Sequence, residues 1–205
     1  MPASGMPLAL TPALSQRQRE EDKQTTLQEI IMKFDASTVQ TSVASPLGTI
    51  VIAATDQGLA GLWFTKGQRY LPAQLTGGAA WPEAGDHPVL KLVSQQLAEY
   101  FAGQRSQFDV PLDLPCGTVF QQSVWQALLT IPQGGTESYG EVSRRIGKPA
   151  AVRAVGGAIG RNPVSIIVPC HRVTGSNGAL TGYAGGLERK TALLRLEGAL
   201  QKELA

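Results

Sequence analysis

Cysteine is almost absent from this 205-residue chain, which has two, Cys116 and Cys170. So few cannot build a disulfide framework, and their scarcity suits a reducing compartment, so the chain is placed in the cytoplasm. No apolar run is long enough to span a bilayer, so no membrane partner is expected. Residues 1–28 lack the basic start, apolar block and small-residue cleavage site of a signal peptide and carry the charged run RQREEDKQ instead. Aspartate is missing from residues 141–205, where 10 Lys and Arg face 4 Glu, a balance of +6; residues 1–140 carry 8 against 12, a balance of −4. The overall +2 hides this asymmetry. A basic block attracts polyanions, nucleic acid above all, or is simply a solvated basic face.

Hydrophobic residues make up 42% of the chain, enough for one ordinary domain or two small ones with modest cores of their own. Residues 1–37 show no apolar periodicity and read as a disordered extension, with Met32 as an alternative start. Beyond Ser45, TIVIAAT, the turn Asp56-Gln57-Gly58 and LAGLWF predict a β-hairpin. Leu90, Val93, Leu97 and Phe101 then recur at helical spacing, with Gly103 placed as the C-terminal cap. Residues 38–114 are thus expected to form an α/β domain. QFDVPLDLPCG, with two prolines, reads as a strand that becomes a linker, which puts the boundary near Pro115 and leaves residues 115–205 as a second domain.

In that second part Phe120, Val124, Leu128 and Ile131 mark one face of a helix. YGEVSRRIGKPAAVRAVGGAIGRNP predicts a short helix closed at Gly147, a tight turn, and a second helix with Pro149 in its first turn: a helix-turn-helix. The second helix holds Gly156 and Gly157 in its interior, each costing about 1 kcal/mol relative to Ala. Such small residues serve either tight packing within the lobe or close approach to DNA, with Arg153 as the one long basic side chain.

The segment IIVPCHRV sets Cys170 beside His171. A thiolate is the reactive form, so a working cysteine needs a group to take its proton. Neighbours in an extended strand point to opposite faces, which makes a direct Cys–His bond awkward unless Pro169 turns the chain or a water bridges the pair. At about 100° per residue, Glu197 in LERKTALLRLEGA falls on a mostly apolar arc near Leu187, Leu193 and Leu194. A carboxylate there wants a buried partner, and His171 is a candidate. The plainer alternatives are a cysteine packed as a small hydrophobe, a structural histidine and a solvated glutamate.

PCHRV, preceded by RNPVSIIV and RAVGGAIGRNP and followed by TGSNGALTGYAGGLERKTALLRLEG, resembles the active-site region of the O6-alkylguanine-DNA alkyltransferases. The likeness is strong from about Phe120 to Glu197, holds in outline for the β-rich part, and does not reach residues 1–37. It implies a ribonuclease H-like N-terminal lobe and a C-terminal helical, winged-helix-like lobe with the helix-turn-helix. It also implies single-turnover transfer of an alkyl group from O6-alkylguanine, and from O4-alkylthymine, to Cys170. Partner and cofactor follow from it too: double-stranded DNA carrying alkylated bases, bound by a monomer, and no cofactor. The zinc site of some relatives needs N-terminal cysteines that this chain lacks, so no metal is expected and His87 is read as an ordinary surface residue. Cys116 is read as non-catalytic.

Carried over residue by residue, the resemblance makes His171 the base on Cys170 through a water, with Glu197 holding the imidazole. Asn162 anchors the active-site turn and the thiolate. Tyr139 donates to the guanine ring, Tyr183 lines the pocket near the alkylated oxygen, and the Val173 carbonyl accepts from the exocyclic amine. Arg153 fills the gap left by the flipped base, while Ala154, Gly156 and Ile159 belong to the surface meeting DNA and base. Two positions depart from some relatives: Ala184 has only its backbone N–H to offer O6, and Ser165 replaces a proline, which implies tolerance of larger alkyl groups. The competing readings are a lesion-binding module without chemistry, a Cys–His hydrolase and a transcription regulator.

Overall fold

The computed structural model describes residues 34–114 and 116–200. Of the extension expected at residues 1–37, the first 33 lie outside the described residues. Phe34 is packed edge-on against Trp63 and Trp81, at centroid distances of 5.7 and 4.9 Å.

Three antiparallel strands, β1 (Val39–Val43), β2 (Ile50–Thr55) and β3 (Gly58–Phe64), form the main sheet in the order β1-β2-β3. The hairpin β2–β3 is the one expected from TIVIAAT and LAGLWF, and every residue of both strands is buried. Burial on both faces explains why these runs are continuously apolar rather than alternating. At Gly61 the Trp63 ring folds back so closely that a side-chain carbon would sit 1.7 Å from it, so only glycine fits. Strand β1 has no counterpart in the sequence reading, because its middle is Gln-Thr-Ser. Gln40 is nonetheless buried, and its amide donates to Glu83 at 3.0 Å.

Helix α1 (Pro88–Phe101) lays Leu90, Val93, Leu97 and Tyr100 against the sheet, and Gly103, at φ +72°, follows its end. Each such side chain contributes about 1.5–3 kcal/mol of hydrophobic stabilisation. The strand expected in QFDVPLDLPCG is not formed. It is reduced to one bridge, in which the Leu59 N–H donates to Pro111 O (2.8 Å) and the Asp113 N–H to Leu59 O (2.9 Å), since proline cannot extend a ladder.

The second half is helical. Helix α2 (Val119–Leu128) starts with a capping box in which Thr118 and Gln121 satisfy each other's backbone N–H. Helix α3 (Tyr139–Arg145) repeats the device with Ser138 and Glu141, and Gly147 (φ +70°) closes it. A 3₁₀ turn at Pro149–Ala151 leads into α4 (Val152–Gly160) and completes the helix-turn-helix. The Trp125 indole donates to Ala158 O at 2.9 Å and locks α2 onto α4. Two-residue strands β4 (Glu137–Ser138) and β5 (Val173–Thr174) pair in parallel, and α5 (Leu187–Leu196) closes the lobe.

One cluster of buried apolar side chains runs through both halves, from Ile52 and Leu62 through Val124 and Leu128 to Val164 and Leu193. The halves are also joined through backbone. The Leu62 N–H donates to Pro163 O (2.8 Å) and the Ser165 N–H to Leu62 O (3.1 Å), so the active-site turn is pinned to the edge of β3.

Candidate active site

Between α4 and β5 the chain folds into a tight, strained turn. The Ile167 N–H donates to Ser165 O at 2.8 Å across Ile166, whose φ is +70°. A β-branched residue is a real outlier in that region, and γ-turns of this hand are rare. Next, the Cys170 N–H donates to Val168 O at 2.8 Å across Pro169 (φ −82°, ψ 61°), a γ-turn of the common hand. Cys170–Arg172 then form a single 3₁₀ turn. Pro169 therefore takes the chain out of the extended form that would have sent the cysteine and histidine side chains to opposite faces.

Asn162 holds this turn. Its Oδ1 accepts from the Val164 N–H (3.0 Å), and its Nδ2 donates to Val168 O (2.7 Å) and to Cys170 Sγ (3.0 Å). Burial pushes the Cys170 thiol up to about 11, against the opposite pull of Asn162 and of the nearby Lys190 ammonium. At neutral pH the thiol is protonated and needs a base.

His171 is fully buried and its Nε2 lies 2.9 Å from Glu197 Oε1. Burial lowers its pKa and keeps the ring neutral against the pull of Glu197. Because the carboxylate is charged, Nε2 carries the proton, and Nδ1, buried with no partner among the described residues, is left as the acceptor. Glu197 itself meets four donors: His171, Tyr100 Oη (2.7 Å), Arg172 Nη2 (2.8 Å), and Arg172 Nε on its other oxygen (2.8 Å). Burial works to raise its pKa, but His171 and the bidentate Arg172 overcome this and hold it at about 2.

Glu197 reaches this position from the C-cap of α5. The Ala199 N–H donates to Leu194 O (2.9 Å) and the Gly198 N–H to Arg195 O (3.2 Å), with Gly198 at φ +77°: the Schellman pattern. A carboxylate at a helix C-terminus opposes the helix dipole, so the Arg172 charge is needed to hold it there.

Lys190 was not singled out from the sequence, yet it is fully buried, with Nζ donating to Val173 O (2.5 Å), Thr181 O (2.8 Å) and Gly182 O (3.3 Å). Burial lowers its pKa to about 8, and Cys170 pulls the other way. The available signal was a lysine on the buried stripe of α5 beside Leu193 and Leu194. Leu187, placed on that stripe from the sequence, is 47% exposed instead. Arg172 and Tyr100 were also missed as partners of Glu197.

A cavity of about 170 Å³ opens onto Cys170, lined by Tyr139, Gly156, Ile159, Tyr183 and Ala184, and by Arg69 and Tyr70 from the first half. The other residues expected at the site lie around this cavity rather than in it. Asn162 and His171 sit behind Cys170. Ser165 is buried, and its hydroxyl accepts from Gln68 at 3.4 Å. The Val173 carbonyl receives Lys190. Arg153 and Ala154 stand exposed on the outer face of α4, while Val155, Ala158 and Ile159 pack inward. The tyrosine hydroxyl at 139 donates to Thr181 O at 3.4 Å.

A helix-turn-helix with a bare outer face, set against one buried thiol with a polarised histidine and a cavity beside it, defines a DNA-directed group-transfer protein. Comparison with known proteins gives the family. Residues 119–199 match the 6-O-methylguanine DNA methyltransferase DNA-binding domain, and residues 38–114 its ribonuclease-like domain. Methylated-DNA–protein-cysteine methyltransferases of Mycobacterium leprae and Methanosarcina acetivorans are 51% and 49% identical. Each aligns with 76% of this chain, over 90% and 95% of their own lengths. The crystal structure of Mycobacterium tuberculosis O6-methylguanine methyltransferase superposes at TM-score 0.70 with 48% identity, covering 79% of this chain and 93% of that one. The same organism's protein in complex with DNA superposes at 0.69 with 46% identity, over 78% and 93%. This chain belongs to the 6-O-methylguanine DNA methyltransferase family. Its lobes are accordingly a ribonuclease-like α/β part and a helical DNA-binding part.

Proposed function

We propose that the chain repairs double-stranded DNA by moving the alkyl group of O6-alkylguanine, and of O4-alkylthymine, irreversibly onto Cys170. The observation that carries this reading is the buried Cys170 Sγ at the wall of the cavity, held by Asn162, beside a neutral His171 whose proton sits on the Glu197 side. In the reaction the Sγ proton passes through a water to His171 Nδ1, and Lys190 and Asn162 support the thiolate. Sulfur then bonds the alkyl carbon while the carbon–O6 bond breaks, its electron pair staying with the purine, which takes up a proton. No step returns the thiol, so each molecule acts once.

Flipping the base costs a few kcal/mol, less for one already mispaired. Tyr139 donates to the guanine ring, Tyr183 borders the alkylated oxygen, and the second lone pair of the Val173 carbonyl accepts the exocyclic amine. The exposed, small-residue face of α4 enters the minor groove with Arg153 filling the space vacated by the base. The protein works as a cytoplasmic monomer.

Intact-protein mass after mixing with duplex DNA carrying O6-methylguanine tests the proposal. A gain of one methylene mass mapped to Cys170, absent from Cys170→Ser, is expected. Tight binding with unchanged mass would overturn transfer in favour of lesion recognition alone.

A further inference from the structure

Resting on Cys170 as the alkyl acceptor, we infer that Tyr70, supplied by the first half of the chain, is the outer wall of the pocket and limits the size of the group that Cys170 accepts. Tyr70 and Arg69 line the same cavity as Cys170. Helix α4 shows how the wall is placed. A side-chain carbon at Gly156 would lie 3.7 Å from the Tyr139 ring, and one at Gly160 would lie 3.6 Å from the Tyr70 ring. Positions four apart share one helix face, so the two rings stand on the same stripe, one turn apart. Tyr139 holds one end of the cavity. Tyr70 closes the other.

The ring is fixed there at a cost. Tyr70 has φ +56°, a conformation bulky residues avoid unless their surroundings impose it. Four contacts impose it. The Arg69 N–H donates to Ala184 O at 2.8 Å. Gln68, buried, accepts from the Phe64 N–H (2.8 Å) and donates to Ser165 Oγ (3.4 Å). Arg161 sets its guanidinium 5.2 Å from the Tyr70 ring centroid. Despite this restraint Tyr70 is 49% exposed, as expected of a residue that a ligand covers. The bond to Ala184 ties the segment carrying Tyr70 to the residue next to Tyr183, which lines the same cavity.

The test uses two duplexes identical except for O6-methylguanine or O6-benzylguanine, with single-turnover rates read by intact mass. Tyr70→Gly and Tyr70→Asn both remove the ring and both suit a positive φ, while Tyr70→Phe keeps it. We expect the benzyl-to-methyl rate ratio to rise about tenfold in Gly and Asn and to stay within about twofold in Phe, the scale on which a reshaped apolar pocket discriminates. An unchanged ratio in both ringless variants, including a parallel fall of the two rates, overturns the inference. Failure of the wild-type protein to transfer methyl to Cys170 would instead overturn the transfer reading on which it rests.

Discussion

Replacing Glu197 by Gln tests the most heavily connected group in the site. The carboxylate ordinarily titrates near 4.5 and is held at about 2 here. A folded-state pKa below the unfolded one means stability present above the unfolded value and lost as pH falls toward the folded value. At about 1.36 kcal/mol per pKa unit, the gap amounts to about 3 kcal/mol at pH 7, and linkage leaves about 1.5 kcal/mol at pH 3. Glutamine removes this contribution and leaves Arg172 a buried charge without its counter-ion, a change that costs about 3–5 kcal/mol at neutral pH. Urea unfolding followed by tryptophan fluorescence at pH 7 and pH 3 reads the difference. The gap between wild type and variant should shrink by about 2 kcal/mol on acidification. A gap of the same size at both pH values would show that the carboxylate charge is not what holds His171 and Arg172. Transfer to Cys170 at pH 7 should fall about 100-fold as well, the lower range for loss of an oriented general base.

Asn162→Ala removes a donor from the thiolate and the clamp from the turn around Ile166. The transfer rate should fall at least about tenfold, with its pH profile displaced to higher pH, as measured by quenched-flow mass analysis. Gly198→Val forces a β-branched residue to φ +77°, so melting should report a loss of about 1–2 kcal/mol and Glu197 should shift enough to slow transfer. Lys190 is pushed down to about 8, so its burial costs stability below that pH and the cost fades as pH rises toward 10.5. Lys190→Met should remove that alkaline gain in urea titrations and slow transfer at pH 7 by leaving the thiolate without a nearby cation. Arg153→Ala, on an exposed face, should change stability by less than about 0.5 kcal/mol. It should slow transfer from duplex DNA about tenfold while leaving transfer from the free O6-alkylated base unchanged; equal loss on both would place Arg153 in the chemistry instead.

Much of the molecule was legible in the sequence, for identifiable reasons. The β2–β3 hairpin announced itself through two uniformly apolar runs around Asp56-Gln57-Gly58, and the helix-turn-helix through Gly147 and Pro149, residues whose backbone preferences are local. Strand β1 was not, because its hydrogen bonds to β2 and the Gln40–Glu83 pair compensate for a polar middle that no local rule favours. The tie between the two halves was not legible either: Leu62 and Val164, about a hundred residues apart, share a bridge that no periodicity records. At the site, Cys170, His171 and Glu197 stood out because each broke its surroundings, a thiol after a proline, a carboxylate on an apolar arc. Arg172 was hidden by its neighbours in PCHRV. Tyr100 and Tyr70 were hidden by distance, since each looks like an ordinary aromatic until the fold carries it to the second half.

Burying the thiol follows from a chemistry that consumes its reagent. Burial raises the thiol's pKa, so at pH 7 small electrophiles in solution meet little thiolate. An exposed cysteine of low pKa would react faster with everything and would be exhausted before it met a lesion. Here the groups that favour the thiolate, Asn162 and Lys190, are fixed in advance, so under the proposed reaction nothing need reorganise once an alkylated base fills the cavity and excludes bulk water. Strain at Ile166 and the carboxylate at the end of α5 are the structural costs of that arrangement; Leu62 from the first half offsets the one through the backbone of Ser165, and Tyr100, also from the first half, joins Arg172 on Glu197 to offset the other. The ribonuclease-like half therefore contributes to the candidate site alongside the DNA-binding half. Detaching it would strip Glu197 of the Tyr100 donor and free the turn from β3.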